Sequence, residues 1–126
     1  MNIYSGTDII FIPRFLEVME KHGGFVLENK FLQRIYSDLE LQYHFDRRSR
    51  IETLAGRFSA KESVVKAFSS IMPLTTYKDI QILENIPRVN FCGIYEKYND
   101  LKYQLSVSIS HDKDYAQSFC TVLSKE

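Results

Sequence analysis

Two carboxylates are the residues of this sequence best placed to do chemistry. Asp8 is the only charged residue in the apolar segment Asn2–Ile12, where a buried carboxylate is costly unless something compensates for its charge. Glu62 lies in a helical segment with Lys66 four residues later, so the two side chains share one face. A metal ion held by Asp8 and Glu62 is one interpretation. An arginine partner or a helix cap for Asp8, and a solvated Glu62–Lys66 pair, are the alternatives that the spacing leaves open.

Cations surround Glu62 on the same predicted helix. Arg57, Lys61 and Lys66 flank an apolar stripe that must face the core, so they lie near the edge of a buried surface. Such an edge suits phosphate binding, and the forked guanidinium of arginine matches a terminal phosphate. His111 ends a predicted strand and is either simply exposed or a hydrogen-bond donor to phosphate. The residues alone therefore indicate an acidic metal site beside basic phosphate-binding side chains.

Other common site patterns are absent from the sequence. It contains no glycine-rich phosphate loop, no dinucleotide-binding fingerprint, no GxSxG nucleophile turn and no HExxH zinc helix. The three histidines are scattered, and neither of the two cysteines has a neighbouring His or Cys. A zinc site is therefore not indicated.

Composition and charge restrict the class of protein further. The chain has 126 residues, of which 44% are hydrophobic and 25% charged, as in an ordinary single globular domain. We therefore expect one domain over residues 1–126. Sixteen basic residues balance sixteen acidic ones, which disfavours nucleic acid as a partner. The sequence shows no signal peptide and no apolar stretch long enough to span a membrane, so we expect a cytoplasmic protein without a membrane partner.

The elements that must position these residues follow from hydrophobic periodicity and turn signals. The predicted strands are Asn2–Ile12, Lys78–Glu84, Val89–Cys92, Tyr103–Ser110 and Tyr115–Leu123, the last two forming a hairpin around a turn at residues 111–114. The predicted helices are Pro13–His22, Phe25–Ile35, one that begins at the capping box Ser37–Glu40, the long helix Ile51–Phe68 and the short helix Ile94–Leu101. A strand, then helices, then a run of strands indicates an α+β fold.

Three segments, in this order, resemble the holo-acyl-carrier-protein synthase family of 4'-phosphopantetheinyl transferases. Residues 6–14 read GTDIIFIPR and resemble its GxD[IL] opening, and residues 54–68 read LAGRFSAKESVVKAF and resemble its AxRFAAKEAxxKAF signature. Residues 107–116 read VSISHDKDYA and resemble its SISHxxxYA segment, and residues 35–40 resemble its ILSxxE element. The resemblance extends over essentially the whole chain. It departs at Ser69–Met72, where the family has a glycine-rich stretch, and at Asn85–Pro87, where many members have a GKP turn.

The resemblance implies a fold, a reaction and a metal. The fold is the 4'-phosphopantetheinyl transferase fold, an antiparallel sheet packed with one long helix and shorter helices. The reaction moves 4'-phosphopantetheine from coenzyme A to a serine of apo acyl carrier protein, releasing adenosine 3',5'-bisphosphate, in fatty acid biosynthesis. Asp8 and Glu62 are implied as ligands of Mg²⁺, a hard cation that prefers carboxylate and phosphate oxygens. With Lys66 they form the implied catalytic set.

The resemblance also implies contacts to both substrates. Arg57, Lys66 and His111 are the expected contacts to the phosphates of coenzyme A. The base that accepts the serine proton stays open between a carboxylate such as Glu62 and a water on the metal. Arg14 and Lys21 of the first helix are expected to meet the acidic carrier protein, together with the cluster Arg47–Arg50. Members of this length form homotrimers with active sites between subunits.

Two other functions remain open from the residues. One is a different metal-dependent hydrolase or nucleotidyl transferase that uses Asp8 and Glu62. The other is a carrier-binding module without catalysis, for which the altered segment Ser69–Met72 is the only support. The presence of Asp8, Glu62 and Lys66 together disfavours the non-catalytic module.

Overall fold

Helices and antiparallel strands make up the structure, a computed structural model that describes residues 1–83, 87–99 and 102–125. The strands in these ranges are β1 (Asn2–Phe11), β2 (Ile80–Leu83), β3 (Arg88–Phe91), β4 (Tyr103–Asp112) and β5 (Tyr115–Ser124). The α-helices are α1 (Ile12–Lys21), α2 (Lys30–Ile35), α3 (Asp38–Asp46) and α4 (Ile51–Phe68), and Tyr77–Asp79 and Gly93–Asn99 are 3-10 helices. The predicted α+β class is confirmed.

The larger sheet has the strand order β1–β5–β4, and both neighbouring pairs are antiparallel. The long helix α4 covers one face of this sheet. Residues at every second position of β5, namely Ala116, Ser118, Cys120 and Val122, are small or apolar and are buried on that face. Asp8 of β1 is the register partner of Ser118, so the same alternation turns Asp8 toward α4. Strands β2 and β3 form a separate antiparallel pair.

A glycine allows β1 and α4 to meet backbone to backbone. A β-carbon built on Gly6 would overlap the carbonyl oxygen of Ser63 and lie 2.6 Å from the amide nitrogen of Ala67. Any larger residue at this position would push the strand away from the helix. Asp8 lies two residues further along the same face of β1, so it is held close to α4.

Two apolar cores lie along α4, which contributes to both. The first is formed with α1, α2 and the start of α3, and its buried members include Ile12, Phe15, Leu32, Ile35 and Leu54. The second is formed with the two sheets, and its buried members include Val64, Phe68, Ile80, Phe91 and Val122. The middle of α4, where Glu62 lies, therefore spans the boundary between the two cores.

The prediction of a helix over Phe25–Ile35 is wrong at its beginning, since α2 begins at Lys30. The side-chain oxygen of Asn29 caps this helix by accepting hydrogen bonds from two backbone N–H groups of its first turn. The side-chain nitrogen of Asn29 donates to the carbonyl oxygens of Gly24 at 2.6 Å and Met19 at 2.9 Å. These bonds tie the cap to the end of α1, so the segment between the two helices is a turn.

Smaller differences appear at strand ends. β4 continues to Asp112, so the predicted four-residue turn is reduced to Lys113 and Asp114, with Lys113 at φ 54°. β2 begins at Ile80 because the preceding residues form a 3-10 helix. The predicted end of that strand at Glu84, the end of the short helix at Leu101, and Asn85 and Ile86 of the expected turn lie outside the described residues.

Glu40 and Lys61 form a fully buried ion pair between α3 and α4, with Lys61 Nζ 2.6 Å from Glu40 Oε1. The carboxylate also accepts from the backbone N–H groups of Ser37, which confirms the predicted capping box, and of Ile82, each at 2.9 Å. Lys61 donates additionally to the carbonyl oxygen of Tyr77 at 3.0 Å. A buried pair is tolerated only when its remaining hydrogen bonds are made, as they are here. The pair therefore fixes α3, β2 and the Tyr77 segment against α4.

His44 of α3 is completely buried, and its Nδ1 lies 2.8 Å from Ser49 Oγ. Burial, together with the positive charges of Arg57, Lys61 and Arg47, lowers the pKa of His44 from 6.5 to about 4. The folded protein therefore keeps this imidazole neutral under conditions in which the unfolded chain protonates it.

We expect Lys61→Met to lower the free energy of unfolding by about 3–5 kcal/mol, because it leaves the Glu40 carboxylate buried without its ammonium partner. Lys21→Met is the matched control: Lys21 pairs with Glu17 at 3.2 Å on the exposed surface, and its loss should cost less than about 1 kcal/mol. Urea unfolding measures both. Equal, small losses would show that the buried pair does not support the fold.

We also expect an acid-sensitive contribution from His44. Its folded pKa of about 4 lies below the ordinary 6.5, so its contribution to stability is complete above pH 6.5 and is lost as the pH falls toward 4. The full change is about 3 kcal/mol. Urea unfolding measures how far the free energy of unfolding falls between pH 7 and pH 4. This fall should be smaller by about 3 kcal/mol in His44→Gln than in the unsubstituted protein. His22→Gln, which alters an exposed histidine, is the control, and an unchanged drop in His44→Gln would contradict the assignment.

Candidate active site

The contact between β1 and α4 brings the predicted catalytic residues together. Ser59 Oγ donates to the backbone carbonyl oxygen of Asp8 at 3.2 Å. Lys66 Nζ donates to the Asp8 carboxylate at 3.2 Å and to the carbonyl oxygen of Thr7 at 3.0 Å. Glu62 lies between Ser59 and Lys66 on the same face of the helix. Asp8, Glu62 and Lys66 therefore occupy one place on the molecule although they are distant in sequence.

Asp8 has the electrostatic character of a cation ligand. Its side chain is 12% exposed, whereas that of Lys66 is 53% exposed. The Oδ2 atom of Asp8 is buried and has no hydrogen-bond partner within the described part of the chain. A buried carboxylate oxygen without a donor is costly, and a bound cation would satisfy it. The alternative of an arginine partner or a helix cap does not describe Asp8, since its charged partner is Lys66.

Tyr77 contacts Glu62 directly and was not identified from the sequence. Its hydroxyl donates a hydrogen bond to Glu62 Oε1 at 2.7 Å. Burial raises the pKa of Tyr77 to about 12, supported by the hydrogen bond and charge of Glu62 and by the charge of Asp8. The hydroxyl is therefore protonated at neutral pH and acts as a donor. The Tyr77 hydroxyl is thus a donor held against one oxygen of the Glu62 carboxylate.

The donor set suits a metal that is bound by few protein ligands. Among the described residues, no group of three or more His, Cys, Asp or Glu side chains could hold a metal ion. The Asp8 and Glu62 pair is the candidate on other grounds: the unpartnered Asp8 oxygen, and the position of Glu62 one helical turn before Lys66, which contacts Asp8. Mg²⁺ commonly takes one or two carboxylates and completes its octahedron with water and substrate phosphate oxygens, so two carboxylates beside an exposed lysine fit this ion.

Three serines connect the helix and the sheet beneath Asp8. Ser118 Oγ of β5 lies 2.8 Å from Ser59 Oγ and is also hydrogen-bonded to Ser63 Oγ. The backbone carbonyl of Ser118 accepts from Thr7 Oγ1 at 3.0 Å. Ser59 and Ser63 occupy the positions at which the family signature has alanine. This buried cluster connects α4 to β1 and β5 at the level of the strand where the Asp8 side chain projects toward the helix.

Arg57 and Lys61 are both buried within the protein. Lys61 is paired inside the protein, and Arg57 is 7% exposed, with Nη1 3.3 Å from the carbonyl oxygen of Leu83. Burial lowers the pKa of Arg57, and the charges of Tyr43 and Glu40 oppose this shift. This position favours a structural role for Arg57. Its contact with a coenzyme A phosphate stays a prediction.

His111 lies at the edge of the site. It pairs with Ala116 in the register, and Ala116 pairs with Ile10 of β1, so two strand spacings, roughly 10 Å, separate β4 from β1. Ile109, two residues before His111 on the same face, packs against Gly56 of α4. The exposed imidazole therefore lies on the sheet face that carries Asp8 but not beside it, and its phosphate contact stays a prediction.

Arg14 and Lys21 lie on the surface of α1. Seven residues separate them, which is close to two helical turns, so they share one face. Lys21 pairs with Glu17 at 3.2 Å, which reduces the net positive charge of this face. Arg47, of the predicted basic cluster, lies over the ring of Tyr43 with its guanidinium carbon 3.7 Å from the ring centre.

A cavity of about 570 Å³ adjoins Tyr77. Its lining includes three cations, Lys30 and Arg34 of α2 and Lys78. The sequence did not indicate this cavity, because its walls come from segments distant in the chain. It adds positive charge next to the candidate site.

Among the described residues, no helix is both long enough and apolar enough to cross a membrane.

Known protein sequences match this chain over nearly its whole length. A sequence model of the 4'-phosphopantetheinyl transferase superfamily matches residues 5–120. The holo-[acyl-carrier-protein] synthase of Clostridium kluyveri is 38% identical over 121 residues, which cover 90% of this chain and 84% of that protein. The holo-[acyl-carrier-protein] synthase of Chlamydia pneumoniae is 36% identical over 125 residues, which cover 96% of this chain and 97% of that protein.

Solved structures with the same fold include complexes with coenzyme A. The structure described as the Chronobacterium ammoniagenes ACPS-CoA complex superposes with a TM-score of 0.81 and 29% identity, covering all of both chains. The holo-[acyl-carrier-protein] synthase of Helicobacter pylori, in complex with coenzyme A, superposes with a TM-score of 0.74 and 28% identity, covering 94% of this chain and 99% of that one. The first similarity covers the whole chain and therefore includes the elements that form the candidate site.

Proposed function

Because this chain belongs to the 4'-phosphopantetheinyl transferase superfamily, we propose that it acts as a holo-acyl-carrier-protein synthase. It transfers 4'-phosphopantetheine from coenzyme A to a serine of apo acyl carrier protein and releases adenosine 3',5'-bisphosphate. The observation that carries the proposal is the gathering of Asp8, Glu62 and Lys66 where β1 meets α4. The carrier as acceptor assigns the reaction to fatty acid biosynthesis, and we place it in the cytoplasm.

The proposed cofactor is Mg²⁺, with Asp8 and Glu62 as its protein ligands. The unpartnered Oδ2 of Asp8 supports this assignment, as does the carboxylate of Glu62 on the same side of the helix. When bound, the ion would orient the pyrophosphate of coenzyme A and neutralise charge that develops on the departing nucleotide. The two carboxylates alone would repel the pyrophosphate, so metal and substrate binding should depend on each other.

Lys66 is the proposed contact to the reacting phosphate. Its ammonium group is hydrogen-bonded to Asp8 and the carbonyl oxygen of Thr7, and the side chain is half exposed, so it can also face a substrate phosphate. The serine oxygen of the carrier forms a bond to phosphorus as the bond to the departing nucleotide oxygen breaks, and the serine proton passes to a base, either a carboxylate such as Glu62 or a water. Such a transfer depends mainly on positioning and on charge stabilisation. The Lys66 ammonium, fixed beside the departing nucleotide oxygen, would supply both positioning and charge stabilisation.

The proposed carrier-binding surface is the exposed side of α1. Arg14 and Lys21 are separated by close to two helical turns and point in similar directions. Opposite charge on an acidic carrier would raise the association rate and orient the encounter more than it would increase the final affinity. The basic cavity beside Tyr77, with Lys30 and Arg34, extends positive charge toward the site.

We propose that the protein is a homotrimer with active sites between subunits. The face of the large sheet opposite α4 supports self-association, because apolar side chains at alternate positions of β1 and β5 are exposed there. These residues are Ile3 at 72%, Ile9 at 63%, Phe11 at 40%, Tyr115 at 50% and Phe119 at 48%. A surface that exposes several large apolar side chains is typical of an interface.

We expect the protein, with coenzyme A, Mg²⁺ and an apo acyl carrier protein, to add one phosphopantetheine to the carrier. Mass spectrometry of the carrier measures this.

Asp8→Ala and Glu62→Ala should abolish transfer without unfolding the protein. Lys66→Met should lower kcat more than it raises KM for coenzyme A, because the contact of Lys66 with the substrate strengthens in the transition state. Glu28→Ala, which alters an exposed carboxylate, is the control. Near-normal transfer by Asp8→Ala or Glu62→Ala would contradict the proposed role of that carboxylate in the site.

We expect light scattering to give three times the mass of one chain. Phe119→Asp should produce smaller species, because it puts a charge in the apolar sheet face. Leu39→Asp is the matched control, since Leu39 is 58% exposed on α3, away from this face. A monomeric unsubstituted protein, or a Phe119→Asp variant of unchanged mass, would contradict the proposed assembly.

A further inference from the structure

Glu62 is fixed by a residue to which neither the signature motifs nor the proposed mechanism assigns a role. A glutamate side chain has several rotatable bonds, and holding it in one conformation costs conformational entropy. The 2.7 Å hydrogen bond from the Tyr77 hydroxyl to Glu62 Oε1 selects one of these conformations. It engages a single oxygen of the carboxylate. A carboxylate accepts up to about four hydrogen bonds or ligands, so Glu62 can still bind a cation.

Tyr77 can direct Glu62 because its own position is held on several sides. Its ring packs edge-on against Phe58, with the ring centres 5.5 Å apart. Its carbonyl oxygen accepts from the buried Lys61 ammonium at 3.0 Å. The segment before it is anchored by the Tyr95 hydroxyl, which accepts from the backbone N–H groups of Thr75 at 2.7 Å and Thr76 at 3.2 Å.

We propose that Tyr77 is a positioning residue that holds the Glu62 carboxylate in the orientation in which it binds the divalent cation. The proposal rests on the proposed function, since it concerns the same metal site. Tyr77 does not contact the reacting atoms. Its hydroxyl orients a ligand, as residues around metal ligands commonly do, and their loss typically weakens metal binding about 10–100-fold.

This role separates the hydroxyl of Tyr77 from the rest of the side chain. The contact with Phe58 uses the ring, and the contact with Lys61 uses the backbone carbonyl oxygen. Tyr77→Phe keeps both contacts and removes only the hydrogen bond to Glu62. The variant should therefore fold and melt like the unsubstituted protein, so a change in metal affinity can be assigned to the orientation of Glu62.

The test measures Mn²⁺ binding to the purified full-length protein, with free Mn²⁺ followed by electron paramagnetic resonance. We expect Tyr77→Phe to raise the Kd for Mn²⁺ by about 10-fold, at the lower end of the range for residues that orient metal ligands. In transfer assays, the concentration of Mg²⁺ that gives half-maximal rate should rise in the same proportion, while kcat at saturating Mg²⁺ stays nearly unchanged. A purely structural defect would instead lower the melting temperature.

Tyr98→Phe is the matched control. It removes a hydroxyl from a tyrosine that packs against Phe91 in the second core, and it should leave the Kd for Mn²⁺ unchanged. Unchanged or tighter Mn²⁺ binding by Tyr77→Phe would overturn the positioning role even if the unsubstituted protein is an active transferase. Failure of the unsubstituted protein to bind Mn²⁺ would overturn the metal site and the positioning role together. Active transfer in that case would leave the proposed reaction itself standing.

Discussion

The buried ion pair between Glu40 and Lys61 is the interaction on which the arrangement of the site depends. Two charges inside a protein are unfavourable unless nearly all of their hydrogen bonds are made, and the partners that make them come from α3, β2 and the segment of Tyr77. Lys61 and Glu62 are consecutive in α4, so their side chains point about 100° apart. Fixing Lys61 toward the interior therefore determines the direction in which Glu62 leaves the helix. The Lys61 ammonium also binds the backbone of Tyr77, whose hydroxyl donates to Glu62. Lys61 therefore supports Glu62 in two ways, through the orientation of the helix and through Tyr77.

Much of the framework could be predicted from the sequence because it depends on local patterns. The capping box at Ser37 and Glu40, the long helix α4 and the alternating strand β4 each follow from residues close together in the chain. Asp8 could be recognised because a carboxylate is unusual in an apolar strand. The beginning of α2 was missed because the cap at Asn29 works through bonds to the end of α1.

The support of the site could not be predicted, because it consists of contacts between residues far apart in sequence. Nothing in the local sequence distinguishes Tyr77 from the other tyrosines, and Ser118 resembles any other strand serine. The sequence puts Lys61 among the cations that flank the apolar stripe of the helix, but a lysine in a helix is ordinarily solvated. Only the position of Glu40, opposite Lys61 across the helix interface, shows that this lysine belongs inside. Motifs thus indicate the candidate site residues, whereas the residues that hold them in place emerge only from the fold.

The backbone contact at Gly6 has a consequence for how this protein can change over evolutionary time. The separation of β1 and α4 is set there by main-chain atoms in direct contact, not by the size of neighbouring apolar side chains. Substitutions in either core can therefore alter side-chain volume without moving Asp8 relative to Glu62. The sequence around the two carboxylates can then vary while the backbone contact keeps their spacing constant. Position 6 itself is the exception, because there a single methyl group would change the spacing.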